Sequence, residues 1–287
     1  MGLYLNNSTD KTSKYDIIEF NSLVDYLEQS NKFRIPNTTT ELRDFGLNGW
    51  INLQTINIPS SVSRIGVACF GGCNNLQSIE IPNSVTEIGE KCFISCYVLQ
   101  SVKLSESLTV IPFGCFGSCY SLSTIEIPHS VTLLDGQCFA YCQSLSEITI
   151  PNSVQMIGTH AFAYTALSSV TFEESCQIKN LNGFSYLDYL QSFNVPNGVE
   201  SLETYCFALS QNLMSVELPE TLLAIQQQAF HGCYSLSEIT IPSSIEYISE
   251  YAFYECPNLT TITINKPEGS IVGAPWGATN ATVVWNG

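Results

Sequence analysis

The chain has 287 residues, enough for one elongated domain or two compact ones. Hydrophobic residues make up 45% and charged residues only 13%, too apolar and aromatic a balance for a disordered chain. Ten basic against 26 acidic residues leave a net charge of −16 with no basic cluster, which argues against nucleic acid and anionic lipid as partners. No run approaches the ~18 consecutive apolar residues of a membrane span, so insertion into a bilayer is not expected.

The opening Met-Gly-Leu-Tyr-Leu-Asn-Asn-Ser-Thr-Asp-Lys has neither a basic nor an apolar signal region, so no signal peptide is expected there. Over residues 15–29, Phe20, Leu23, Val24 and Leu27 form one helical stripe, which predicts an N-terminal capping helix within a segment 1–34. From Ile35 onward the chain repeats. The pair Ile/Val/Leu-Pro recurs at Ile35, Ile58, Ile81, Ile127, Ile150, Val195, Leu218 and Ile241, and Leu104, Phe172 and Ile264 fill the same slot without proline. Successive anchors lie 23 residues apart except Phe172, which follows Ile150 by 22. About ten units thus occupy residues 35–264, and residues 265–287 remain as a C-terminal cap or tail, alternatively a joint to a neighbouring domain.

Within a unit the consensus is I-P-x-S-V-x-x-I-G-x-x-C-F-x-x-C-x-x-L-x-x-I-x-I. Its final L-x-x-I-x-I alternates as a short strand does, for example at Leu76, Ile79 and Ile81. Proline ends the strand, and the Ser or Thr two residues later is expected to satisfy backbone amides freed at the turn. The spacing of Val85, Ile88, Cys92, Phe93 and Cys96 predicts a helical or 3-10 turn. One unit cannot bury its apolar side alone, whereas stacked copies form one continuous core, about 50 Å long at ~5 Å per coil.

These residues resemble the BspA-like (Treponema-type) leucine-rich repeat, whose 23-residue unit carries the same I-P, A/C-F and C-x-x-L marks. The unit from Ile81 to Leu104 fits almost without exception. The resemblance implies an α/β repeat solenoid: a right-handed leucine-rich-repeat superhelix with a parallel β-sheet on the concave face and short helical or 3-10 turns on the convex side. It also implies a non-catalytic recognition role, for adhesion or for binding a protein or glycan at a bacterial surface. A cytoplasmic location, as an intracellular or phage-associated scaffold or receptor-binding protein, is the alternative. A monomer is expected.

Two departures stand out. The unit from Phe172 to Val195 has neither the proline nor the usual cysteines, and the 22-residue unit precedes it. The first unit, with Leu47 for Phe and Trp50 for Cys, looks like a drifted terminal repeat.

Chemistry-bearing residues are few. Of twelve cysteines, eight form the C-x-x-x-C pairs Cys69/Cys73, Cys92/Cys96, Cys115/Cys119 and Cys138/Cys142. Sister units mostly carry Ala, Gly, Val, Ser or Thr there, so reduced buried side chains are expected rather than disulfides or zinc, with Cys176 in the Val slot. A metal- or redox-responsive protein is the competing possibility. His129, His160 and His231 fall at different repeat phases and are expected at the surface without converging. No catalytic motif and no cofactor site is recognisable.

Binding surface remains. Outward strand positions form two polar rows, the first including Thr124, Glu147, Ser169 and Glu238, the second Glu80, Lys103, Glu126, Thr149, Thr171 and Glu217. Two residues after the core Phe, Tyr141, Tyr164 and Tyr186 stand where sister units carry Gly72, Ser95, Ser118 and Gly232, which predicts an exposed aromatic stripe. Tyr97, Tyr120 and Tyr234 occupy a nearby slot.

Overall fold

The computed structural model describes residues 34–287, so the helix expected over 15–29 lies outside the described residues. The chain winds into about eleven turns of a parallel-strand solenoid. Each coil after the first contributes a strand at the end of its unit, such as Ser78–Glu80, Ser101–Lys103 or Glu238–Ile241. These strands pair in parallel and in repeat register, Ser78 with Ser101 and Glu80 with Lys103, Glu147 with Ser169 and Thr149 with Thr171. The alternation read from sequence is physical: Ile79 is buried between exposed Ser78 and Glu80.

The helical or 3-10 turn expected after the proline is not there; among the described residues no helix forms. Two-residue strands occupy its first half, for example Arg64–Ile65, Glu87–Ile88 and Leu133–Leu134, and build a second parallel ladder. Stacked turns occupy the rest. Lys91 (φ 56°) and Ser95 (φ 59°) flank Phe93 in the left-handed region, as Ala68 (φ 47°) and Gly72 (φ 70°) flank Phe70. Such residues cannot propagate a right-handed helix. Backbone donors alternate instead: Phe70 N–H reaches Cys92 O on the next coil at 2.9 Å, whereas Gly71 N–H turns back to Ala68 O at 3.1 Å. A three-to-four-residue apolar spacing is common to this device and to a helix, which is why periodicity alone misassigns it. The second ladder is interrupted between Glu87–Ile88 and Val110–Ile111. There Pro112 stands in the slot from which Gly89 N–H donates to Ile65 O at 2.7 Å, and proline has no such donor.

The core is a column of rows. Phe70, Phe93, Phe116, Phe139 and Phe162 are fully buried and stack with centroids 5.2–5.6 Å apart. All twelve cysteines are free thiols, eleven of them buried. The second cysteine of each pair does more than fill space: its Sγ–H donates to the carbonyl of the Phe-slot residue on the preceding coil, Cys73 to Leu47 O at 3.2 Å, Cys96 to Phe70 O at 3.1 Å and Cys119 to Phe93 O at 3.2 Å. Ser210 makes the same bond to Phe184 O at 3.0 Å. Burial pushes the Cys69 and Cys73 thiols up to about 12, so neither is a thiolate at neutral pH. The Ser after the proline also differs from expectation. Its hydroxyl donates to a carbonyl of the preceding coil, Ser84 to Val62 O at 2.7 Å and Ser130 to Leu108 O at 2.6 Å, instead of accepting from its own turn's amides.

The unit after Phe172 keeps its 23 residues but redistributes them. Ile178 and not Cys176 fills the buried Val slot, and Leu181 pairs in register with Leu202, so two residues are gained before the short strand Asn180–Leu181. Two are lost after it, where Leu181-Asn182-Gly183-Phe184 replaces Ile157-Gly158-Thr159-His160-Ala161-Phe162. The spare residues leave Cys176 half-exposed. On the strand face Phe193 replaces the usual Ile or Val and wedges 4.9 Å from both Phe184 and Phe207, spreading those two rings to 6.3 Å. Both ladders break at this coil. At the C-terminal end of the array, Thr282–Trp285 adds to the ladder beside Thr261–Ile264, and the carbonyl of fully buried Trp276 accepts the Phe253 N–H at 3.0 Å.

Truncating one stacked ring, Phe139→Ala, is expected to cost about 3–5 kcal/mol in urea unfolding, because neighbouring coils cannot collapse into the void without breaking register. A maleimide applied to native protein is expected to modify Cys176 alone, and all twelve cysteines after denaturation, read by intact mass.

Candidate recognition surfaces

The tyrosine stripe is built by the backbone. Tyr141, Tyr164 and Tyr186 all have left-handed φ (63°, 59° and 59°), in a slot that is Gly49, Gly72 and Gly232 on other coils. Small residues there therefore reflect a conformation that favours glycine, rather than exposure as such. Bulky side chains in this region carry strain of about 1–2 kcal/mol each. They are held by inter-coil bonds from Tyr141 N–H to Ala163 O at 2.8 Å and Tyr164 N–H to Tyr186 O at 3.1 Å. The rings stack at 4.5 and 4.6 Å, with interplanar angles of 11° and 28°. Tyr141 (42%) and Tyr164 (39%) are exposed and Tyr186 is half-buried. Because the faces cover one another, the stack offers solvent its ring edges and phenol groups. Burial, then the adjacent Tyr186 and Tyr141 phenols, push the Tyr164 phenol above its ordinary value, so that phenol is neutral at physiological pH. Tyr97 and Tyr120 form a second exposed stack at 5.1 Å, and Tyr234 is exposed further along.

His160 joins the first stack. Its ring meets Tyr186 edge-on at 5.6 Å, and its Nδ1 lies 2.6 Å from the buried Ser185 hydroxyl. It is half-buried rather than at the open surface, as is His231, while His129 is exposed. Sequence alone does not associate His160 with Ser185, which lies 25 residues away on the irregular coil.

The strand face carries Glu80, Lys103, Glu126, Glu147, Thr149, Thr171, Glu217 and Glu238, all exposed. Lys103 Nζ pairs with Glu80 Oε1 at 2.6 Å. Glu126, Glu147, Thr149 and Thr171 line one cavity of about 440 Å³ together with His129 and Glu173. Glu217 lines a second, of about 640 Å³, with Thr171, Glu173 and Cys176. Glu80 and Glu238 line neither. The residue missed from sequence is Glu173. It stands where the regular unit has proline, and its carboxylate lies 3.1 Å, by either oxygen, from His129 Nε2 two coils back while accepting the Asn152 N–H at 3.1 Å. The missing proline after Phe172 is the one available signal. Among the described residues no cluster of His, Cys, Asp or Glu has the arrangement to hold a metal ion.

Two parallel ladders around stacked aromatic and cysteine rows define a leucine-rich-repeat solenoid, a recognition scaffold. The family described as BspA type leucine rich repeat region matches residues 14–113, 63–186 and 177–272 in six copies, and the chain belongs to that family. Among solved structures it is similar to a leucine-rich repeat protein from Bacteroides ovatus (23% identity, TM-score 0.59, covering 88% of this chain and 82% of the other). It is also similar to a leucine rich cell surface protein from Faecalibacterium prausnitzii (28%, 0.55, 88% and 78%) and to a leucine-rich repeat protein from Eubacterium ventriosum (21%, 0.53, 80% and 85%). Comparison with curated proteins finds no significant match. Proteins of this repeat family are typically non-catalytic. Among the described residues no helix is long and apolar enough to cross a membrane.

Burial lowers the His160 pKa below its ordinary value of 6.5, so the fold favours the neutral ring. Its stabilising contribution is complete above the unfolded-state value and is lost as pH falls below it toward the folded value. Unfolding midpoints measured between pH 7 and pH 5 are expected to fall more steeply for wild type than for His160→Gln. Gln137 and Gln228 already occupy this left-handed slot, so the variant backbone is unstrained relative to them. Superimposable pH profiles would refute the assignment.

Proposed function

We propose that this protein is a non-catalytic recognition module of a bacterial surface, binding a protein or glycan ligand through the Tyr141, Tyr164 and Tyr186 stack, with the polar strand rows as a second contact face. One observation carries the proposal: three consecutive coils hold tyrosines stacked ring on ring, two of them exposed, which makes a continuous aromatic ridge on the surface. Tyrosine supplies large contact area at small entropic cost, and a continuous row suits an extended partner. The surface location draws support from the 28% identity to a protein described as a leucine rich cell surface protein. The finer architecture belongs to the same proposal: a right-handed superhelix, the strand rows on its concave side, and residues 265–287 closing its C-terminal end, where Trp276 is fully buried.

The test is a screen of immobilised glycans and extracellular-matrix proteins with wild type and with Tyr141→Ser/Tyr164→Ser/Tyr186→Ser. Ser95 and Ser118 occupy the same slot, so the triple variant is expected to fold with an unchanged melting temperature. Loss of binding by about tenfold or more is the expected result, on the scale of aromatic contact residues. Wild-type binding by the triple variant would remove the stripe from the proposal.

A further inference from the structure

The strand face has a gap, and what lines the gap carries one sign of charge. Ser169–Phe172 pairs only with Glu147–Ile150, and Ser192–Asn194 only with Ser215–Glu217. The facing edges of Ser169–Phe172 and Ser192–Asn194 therefore meet without a ladder between them, most of their Cα atoms standing beyond 8 Å of one another. Phe172 and Phe193, 5.9 Å apart and edge-to-face, hold the gap open from beneath. The two cavities described above adjoin here, sharing Thr171 and Glu173. Together they cross five strands, from Thr124–Ile125 to Ser215–Glu217, a span of more than about 22 Å, made of three steps of ~4.8 Å and the wider gap.

Glu126, Glu147, Glu173, Glu174 and Glu217 line this groove, and no Lys or Arg does. Lys103 and Lys179, the nearest basic residues along the chain, are each engaged elsewhere, with Glu80 and Glu200. Of the five carboxylates only Glu173 has an ionisable partner, His129. The others make no ion pair among the described residues. Thr149, Thr171 and Asn194 supply hydrogen-bonding groups between them, and the unladdered strand edges add backbone donors and acceptors.

We infer that this groove docks an extended, Lys- or Arg-rich polypeptide segment lying across the interrupted strands. The inference deepens the proposed strand-face contact and rests on it, but not on the tyrosine stack. Charge complementarity selects a cationic partner. The Thr149, Thr171 and Asn194 side chains, set between the carboxylates, offer hydrogen bonds to peptide groups and so favour a polypeptide over a small polycation. An extended segment of about seven residues spans about 23 Å, the length of the groove.

The experiment is a calorimetric titration of the full chain with the blocked peptide acetyl-(Lys-Thr)4-amide at low ionic strength. Glu147→Gln/Glu173→Gln/Glu217→Gln is expected to weaken binding at least about tenfold. A control triple, Glu90→Gln/Glu246→Gln/Glu250→Gln, removes the same charge from exposed positions away from the groove and is expected to change it less than about twofold. Absence of binding to wild type, equal losses in the two triples, or spermine binding as tightly with the same variant dependence would each overturn the inference. The tyrosine-to-serine triple, expected to bind this peptide as wild type does, separates failure of the groove from failure of the stripe.

Discussion

Everything in this molecule depends on the contact between one coil and the next. A 23-residue unit has too little apolar surface to fold by itself, and its backbone groups find partners mainly on neighbouring coils. The Phe N–H that would close a helix instead reaches forward, from Phe93 to Cys115 O at 2.8 Å and from Phe116 to Cys138 O at 2.8 Å. The same translation places ring on ring, thiol on carbonyl and hydroxyl on carbonyl. One spacing near ~5 Å must therefore suit strand pairing, aromatic stacking and side-chain hydrogen bonds together.

That shared spacing explains the composition. The second cysteine of a unit is small enough for the row and still carries a donor for the carbonyl behind it, a job Ser210 can do and alanine cannot. It also explains why substitutions on the surface are freer than those inside. A slot with left-handed backbone tolerates glycine, serine, leucine, glutamate or tyrosine, since its side chain points away from the column. Tyrosines can thus accumulate on consecutive coils and stack on one another, borrowing the periodicity of the core to make a surface ridge.

The irregular coil shows what happens when the rows are disturbed without losing the count. Phe193 in a strand slot forces two rings of the column apart, and at its coil both ladders lose their pairing to the preceding coil. Stacking at the Phe turn continues through Phe162 N–H to Gly183 O at 3.1 Å, so the solenoid remains one piece while its strand face opens. The groove and the tyrosine ridge are two consequences of adjacent coils, one from disturbed packing and one from strained but intact turns.

The sequence by itself determined the period, the strand positions, the buried rows and the family, because each depends on which side chain recurs at which offset, and offsets are visible in one dimension. It placed Tyr141, Tyr164 and Tyr186 on consecutive coils for the same reason. The tertiary structure alone decided what the apolar stretch around Phe93 becomes, since a helix and a stack of left-handed turns share a three-to-four-residue spacing and differ in where the N–H groups point. It alone moved Ile178 into the slot expected for Cys176, because a two-residue gain and a two-residue loss cancel in the count. It alone brought Glu173 to His129, 44 residues away, since that meeting is set by how far a side chain reaches across an intervening coil and by no local pattern.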